Sequence, residues 1–267
     1  MSAFTDRVVV VTGASSGIGE ELARQLGKEG AKLVLCARRR ELLEKLASEM
    51  AEENVLVEAC DVTRDGDLER VVEHARIKFG RIDVVFANAG FGVAGKLERL
   101  DISDYRRQFE TNVFGLLRTV YATLDELKKT RGKLVLIGSV AGWASLPGAS
   151  PYAMSKFAVR ALANAITPEL RAAGVTVTLI SPGFVDSNIR RVDNQEKYHS
   201  DVKDPIPAWI RVPTDKAVRE ILRAVARGKR EQIVTGHGKM IVLIQRLFPW
   251  IIRLGVSRGL RGRAQPN

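Results

Sequence analysis

The feature that most constrains this chain is a rhythm. Seven short apolar runs alternate along it with longer stretches whose apolar residues recur every three or four positions. The runs are "RVVVVTG" from Arg7, "AKLVLCA" from Ala31, "VLVEAC" from Val55, "IDVVFANAG" from Ile82, "KLVLIGS" from Lys133, "VTVTLISPG" from Val175 and "EQIVTG" from Glu231. They are rich in β-branched residues and several lack polar alternation, so they read as strands buried on both faces. The spacing between them predicts helices over 18–29, 41–52, 65–79, about 103–129, 152–173 and 214–227. That alternation implies an α/β chain: a seven-stranded parallel sheet in three layers, α/β/α, with right-handed crossovers. No Ser/Gly-rich linker and no repeat interrupts the order, so residues 1–236 read as one domain. Two segments stand outside the rhythm. The loop from Pro182 to Pro213 is long for a compact domain and so is expected to be functional. Residues 237–267 form a C-terminal extension.

Composition removes several function classes. The two cysteines, Cys36 and Cys60, each sit in a strand-like run. They make neither a disulfide framework nor a zinc site, and read as small buried hydrophobes in a reducing compartment. His74, His199 and His237 are scattered without metal-ligand spacing, so no metal is expected. No G-x-S-x-G elbow is present, which argues against hydrolase chemistry. The first strand begins almost at once, without the profile of a secretory leader, so the expected location is cytoplasmic. Net charge is +11, but six Lys or Arg and no Asp or Glu fall from His237 onward. Much of the excess therefore lies in the extension, which argues against a nucleic-acid face across the domain.

The first run ends in "TGASSGIG", Thr12 to Gly19. Gly13, Gly17 and Gly19 fall where a strand turns into a helix, with Ser15, Ser16 and Ile18 between them. Glycine lets the backbone make that turn and approach a pyrophosphate, whose charge the helix N-terminus then attracts. A tight strand–helix turn alone would use the same residues. The second run ends in "CARRR" rather than in an acidic residue. A guanidinium there, Arg38 first and Arg39 second, suits a ribose 2′-phosphate, so NADP(H) is expected over NAD(H). The alternative is a solvated basic turn.

Further motifs follow in order. They are "DVT" with Asp61 and Val62, "NAG" (Asn88, Ala89, Gly90), Asn112 in "TNVFG", Ser139 in "IGSVAG", "YAMSK", and "SPGFVDS" with Pro182, Gly183, Phe184, Val185 and Ser187. Over about 6–235 the chain resembles the short-chain dehydrogenase/reductase family. Ala87 stands where that family often has a second Asn, and Ser187 where it usually has Thr. The resemblance implies a Rossmann-type doubly wound sheet and a catalytic tetrad of Asn112, Ser139, Tyr152 and Lys156. Tyr152 would exchange the proton of a carbonyl/alcohol pair and Ser139 would bind the same oxygen. Lys156 would hold the nicotinamide ribose, and Asn112 a water relaying protons to Lys156. Asp61 would meet the adenine amine and Asn88 would line the adenosine side. From the residues themselves, Tyr152 and Lys156 share a helix face at i and i+4, and a nearby ammonium is expected to lower the tyrosine pKa.

Expected substrate walls are Trp143, Leu146, Phe184 and Trp209, together with Ser139 and Tyr152. Their apolar character points to a hydrophobic ketone or alcohol such as a steroid, retinoid or lipid. A 3-oxoacyl reductase and a non-catalytic NADP(H)-binding scaffold remain alternatives. The resemblance implies a homodimer or homotetramer. The extension, "GKMIVLIQRLFPWIIRLGVSRGLRGR", mixes apolar residues with arginine, and Pro249 is expected to separate two helices. It reads either as a membrane-surface anchor or as a helix packed over the pocket or an interface.

Overall fold

The computed structural model describes residues 2–195, 197, 199, 204 and 206–252. All seven expected strands form: β1 Val8–Thr12, β2 Lys32–Ala37, β3 Val55–Ala59, β4 Val84–Ala87, β5 Lys133–Ile137, β6 Thr176–Pro182 and β7 Glu231–Val234. They make one sheet in the order β3-β2-β1-β4-β5-β6-β7, and every pairing is parallel. The helices are α1 Gly17–Lys28, α2 Arg40–Ala47, α3 Asp67–Phe79, α4 Ile102–Phe109, α5 Leu116–Thr130, α6 Ser150–Ala172, α7 Thr214–Ala226 and α8 Gly236–Leu247.

Two apolar cores explain why the strands carry so little polar alternation. On one side Val9, Val11, Leu33, Leu35 and Phe86 pack beneath α1, α2 and α7. On the other, Val8, Val10, Val34, Val85 and Leu134 pack beneath α3, α5 and α6. Successive residues of one strand thus enter opposite cores, as the strand period of two requires. This doubly wound Rossmann-type sheet reverses its strand order between β1 and β4. A crevice opens there beyond the carboxyl ends of the strands.

Two helices differ from the spacing-based expectation. The helix expected over 41–52 stops at Ala47, and the chain then tightens into three-residue turns, with the Glu49 N–H on the Leu46 carbonyl at 3.2 Å and the Met50 N–H on that of Ala47 at 2.9 Å. The stretch expected as one helix over 103–129 is interrupted by a π-helical turn, Glu110–Gly115. The start of α4 is fixed by Asp101, which accepts from the backbone N–H of Ser103 and Asp104 in a capping box. Among the described residues no helix is long and apolar enough to cross a membrane.

Candidate active site

The glycine-rich turn sits at one lip of the crevice. Gly13 has φ +67°, and an added Cβ there would meet the Ala89 Cα at 2.8 Å. A Cβ on Gly19 would strike the Gly13 carbonyl oxygen and the Asn88 Nδ2, the latter at 2.6 Å. The backbone is thus folded too tightly for any side chain, which is the shape of a phosphate cradle. The Ser16 side chain makes no capping bond at the start of α1, so it does not occupy the N–H groups of the first turn. Across the crevice, Asn88 braces the turn: its Nδ2 donates to the Thr12 carbonyl at 2.9 Å and to that of Gly13 at 3.3 Å. The Thr12 hydroxyl accepts from the backbone N–H of Asn88 and Ala89. Asp61, expected against an adenine amine, has Oδ1 engaged by the N–H and hydroxyl of Thr63, and Val62 is buried beside it.

The basic end of β2 reaches this turn. Arg39 donates from Nη2 to the Ser15 hydroxyl at 3.1 Å. Ser15, Ser16, Arg39 and Lys45 line one cleft of about 420 Å³, with Val192 of the long loop on its far wall. Arg24 in the same cleft is held by Glu20 and Glu49. Ser187 lies against the turn as well, with its Cβ 3.3 Å from where a Gly17 side chain would begin. A cradle too tight for a Cβ, beside an arginine bonded to its serine, fits the pyrophosphate of a nicotinamide dinucleotide.

The tetrad residues converge at the ends of β5 and α6. Ser139 follows β5, and its Oγ accepts from the Ala141 N–H at 3.1 Å. The buried Lys156 ammonium donates to the Ile137 carbonyl at 2.8 Å and lies 5.8 Å from the centre of the Tyr152 ring. Burial lowers the Lys156 pKa to about 8. Burial also raises that of Tyr152, against the opposing pull of the Ser139 hydroxyl and the positive charge of Arg190. This corrects the expectation that a nearby ammonium would bring the phenol down. Desolvation is the larger effect, and Tyr152 rests as a protonated phenol.

Asn112 sits inside the π-helical turn and is 1 % exposed. Its Oδ1 accepts from the Phe91 N–H at 3.1 Å. Its Nδ2 donates to the Phe91 carbonyl and to the Ser155 hydroxyl, which in turn donates to the Tyr152 carbonyl. Both amide hydrogens are therefore spent on protein. The side chain holds the strand-end loop and the Tyr152 turn in register.

Several positioning residues escaped the sequence reading. Gln108, fully buried, grips the same loop through the Val93 N–H and the Phe91 carbonyl. Its spacing of four from Asn112 was the available signal. Arg190 clamps the long loop by a bidentate pair with buried Asp204 and a bond to the Val185 carbonyl. His237, at the start of α8, accepts the Phe184 N–H at its Nε2, 2.8 Å away, and stacks on the Phe184 ring. A side chain on Gly183 would collide with Thr235 and with His237, 2.6 Å away.

The expected substrate walls divide. Leu146 and Trp209 are exposed, and Phe184 is half-buried against His237. Trp143 is instead enclosed. It is 4 % exposed and donates from Nε1 to the Ser181 hydroxyl at 3.1 Å. Arg160 and Arg246 stack on its ring with guanidinium carbons 3.3 and 4.4 Å from the centroid. It wedges α8 against the site and has no face left for a substrate.

Comparison with known proteins agrees with this geometry. A family profile described as short chain dehydrogenase matches residues 7–198. An uncharacterized oxidoreductase of Staphylococcus aureus (strain MW2) is 33% identical over 226 residues, covering 83% of this chain and 98% of that protein. One from Staphylococcus saprophyticus is 37% identical over 192 residues, 71% of this chain and 78% of the relative. The solved alcohol dehydrogenase of the archaeon Thermococcus sibiricus, complexed with 5-hydroxy-NADP, superposes with TM-score 0.73 at 30% identity. It covers 85% of this chain and 95% of its own. A short chain dehydrogenase/reductase from Burkholderia phymatum, in complex with NAD, shares the fold at TM-score 0.82 and 23% identity, covering 92% and 95%. The chain is an oxidoreductase that belongs to the short-chain dehydrogenase/reductase family.

Proposed function

We propose that this protein is an NADP(H)-dependent reductase or dehydrogenase that interconverts a hydrophobic ketone and its secondary alcohol. The observation that carries this reading is the buried Lys156 ammonium, held on the Ile137 carbonyl at 2.8 Å and 5.8 Å from the centre of the Tyr152 ring, with the Ser139 hydroxyl acting on the same phenol. The dinucleotide would rest on Gly13, Ser15, Ser16, Gly17, Ile18 and Gly19, with Arg38 and Arg39 toward its 2′-phosphate. Asp61, Val62, Asn88, Ala89 and Gly90 would flank its adenosine half, and Pro182, Gly183, Val185 and Ser187 its nicotinamide half. When bound, it supplies or accepts the hydride. Tyr152 gives its proton to the carbonyl oxygen in reduction and takes it back in oxidation. Ser139 donates to the same oxygen as charge develops. Lys156, immobilised on Ile137, stabilises the tyrosinate left behind.

Support for the phosphorylated cofactor is the Arg39–Ser15 contact at the cradle and the cofactor named for the Thermococcus enzyme. The doubly substituted Arg38→Ala/Arg39→Ala variant is expected to lose about 10- to 100-fold in kcat/KM for NADPH, the cost of charge-assisted contacts. Its kcat/KM for NADH should stay within about twofold. Equal losses with both cofactors would sink the 2′-phosphate assignment.

Support for an apolar substrate comes from Leu146, Phe184 and Trp209 on the segments that follow β5 and β6. The test is NADPH absorbance against a panel of steroid, retinoid and long-chain ketones beside acyl thioesters and short sugars. Faster turnover of free lipid ketones is the expected result. Preference for thioesters would favour a 3-oxoacyl reductase, and binding without any turnover a scaffold. We also propose a homo-oligomer in the cytoplasm. Exposed Ile102, Phe114 and Tyr121 on the α4–α5 surface, with Met154 and Phe157 on α6, offer an apolar face for a second copy.

A further inference from the structure

α8 carries two apolar faces. The inner one is accounted for: Gly238 and Val242 are buried, Val242 against Val140 and Trp143. The outer one holds Met240, Leu243 and Leu247, at 59%, 56% and 61% exposure. Spacings of three and four place them in one stripe. The stripe runs on into Phe248, Trp250 and Ile251, all exposed, where helix resumes at Pro249.

Charge surrounds this stripe. Arg246 pairs with Glu231 at 3.3 Å, which sets the end of α8 beside the start of β7. The turn just before β7 carries exposed Arg227, Lys229 and Arg230. Lys239 and Arg246 are paired with body carboxylates and bind the helix down. The sequence then adds Arg253, Arg258, Arg261 and Arg263 with no acidic residue after Glu231; these four lie outside the described residues.

We propose that the outer face of α8, continued through residues 248–251, is a docking surface for an anionic lipid bilayer. The apolar stripe enters the acyl boundary, Trp250 sits at headgroup level and the flanking cations meet lipid phosphates. α8 lies on the membrane and does not span it, since no described helix is long and apolar enough to cross. A second copy of the chain is a poorer occupant. A two-fold contact through this stripe would bring two copies of the exposed Arg227, Lys229 and Arg230 turn toward each other. A nucleic acid would use the cations and leave the stripe in water.

The test uses the full chain, because deleting the extension would also remove His237 from Phe184. Flotation is measured with vesicles of phosphatidylcholine alone and of phosphatidylcholine mixed with phosphatidylserine. Binding to the anionic vesicles should be at least about tenfold stronger and should fall in high salt. Leu243→Glu/Leu247→Glu should abolish flotation while leaving the melting temperature and the rate on a soluble ketone unchanged. Equal flotation of wild type and variant, flotation indifferent to lipid charge, or none with either vesicle would overturn the proposal. So would a concentration-dependent dimer that the double variant dissolves in the absence of vesicle binding.

Discussion

Tyr152→Phe should lower kcat by at least about a hundredfold and leave cofactor affinity within about twofold, as expected when a general acid is removed from a site that still binds. The ring would stay packed against Gly92, where an added Cβ would already meet the Tyr152 ring edge at 3.6 Å, so the variant loses the hydroxyl and little else. The wild-type pH profile provides the second readout. Burial raises the phenol pKa, so the donor form persists through neutrality and reduction slows only in alkali. The phenylalanine variant should show its residual rate without that alkaline fall. Turnover near the wild-type rate would refute Tyr152 as the proton donor.

Lys156→Met should combine a large loss of turnover, about a hundredfold or more, with an altered dependence of stability on pH. The ammonium is buried and its pKa is lowered from 10.5 to about 8. The folded state therefore binds this proton less tightly than the unfolded chain does. Below about pH 8 both states are protonated and the fold bears the full cost of burying the charge. Stability rises as pH climbs from about 8 toward 10.5, and above 10.5 the cost is gone. At about 1.4 kcal/mol per pH unit, that window is worth roughly 3 kcal/mol. Methionine carries no such proton but leaves the Ile137 carbonyl without its Nζ partner, which costs about 1–3 kcal/mol. The variant should thus be about as stable as wild type at pH 7 and should fall behind it by roughly 3 kcal/mol toward pH 10.5. Urea titrations at the two pH values measure this. A difference independent of pH would show that Lys156 is not buried as an ammonium.

The sheet was legible because its signal is local. Residues 8–11 are four valines in a row, and only a strand between two cores makes use of that pattern. The glycine turn was legible for the same reason, since Gly13 and Gly19 answer to backbone a few residues away. What escaped the sequence are contacts made by folding. His237 is 53 residues from Phe184, and Arg190 meets Asp204 across the long loop. The pKa of Tyr152 also depends on enclosure, which the i, i+4 spacing of Tyr152 and Lys156 does not report. Trp143 was misjudged as a pocket wall because its neighbours in sequence do not include Arg246.

The π-helical turn sets the phase between α4 and α5. Asp104, Gln108, Asn112, Leu116 and Val120 are all buried, at unbroken intervals of four. A regular helix turns about 400° in four residues, so such a series drifts about 40° at each step and about 160° over the whole run. Carried through a uniform helix, the row would end nearly on the side opposite its start. The wider turn at Glu110–Gly115 absorbs roughly one residue, about 100° of that drift. It acts as a clutch between two gears: α4 keeps Gln108 and Asn112 on the loop, and α5 still delivers Leu116 and Val120 to the core.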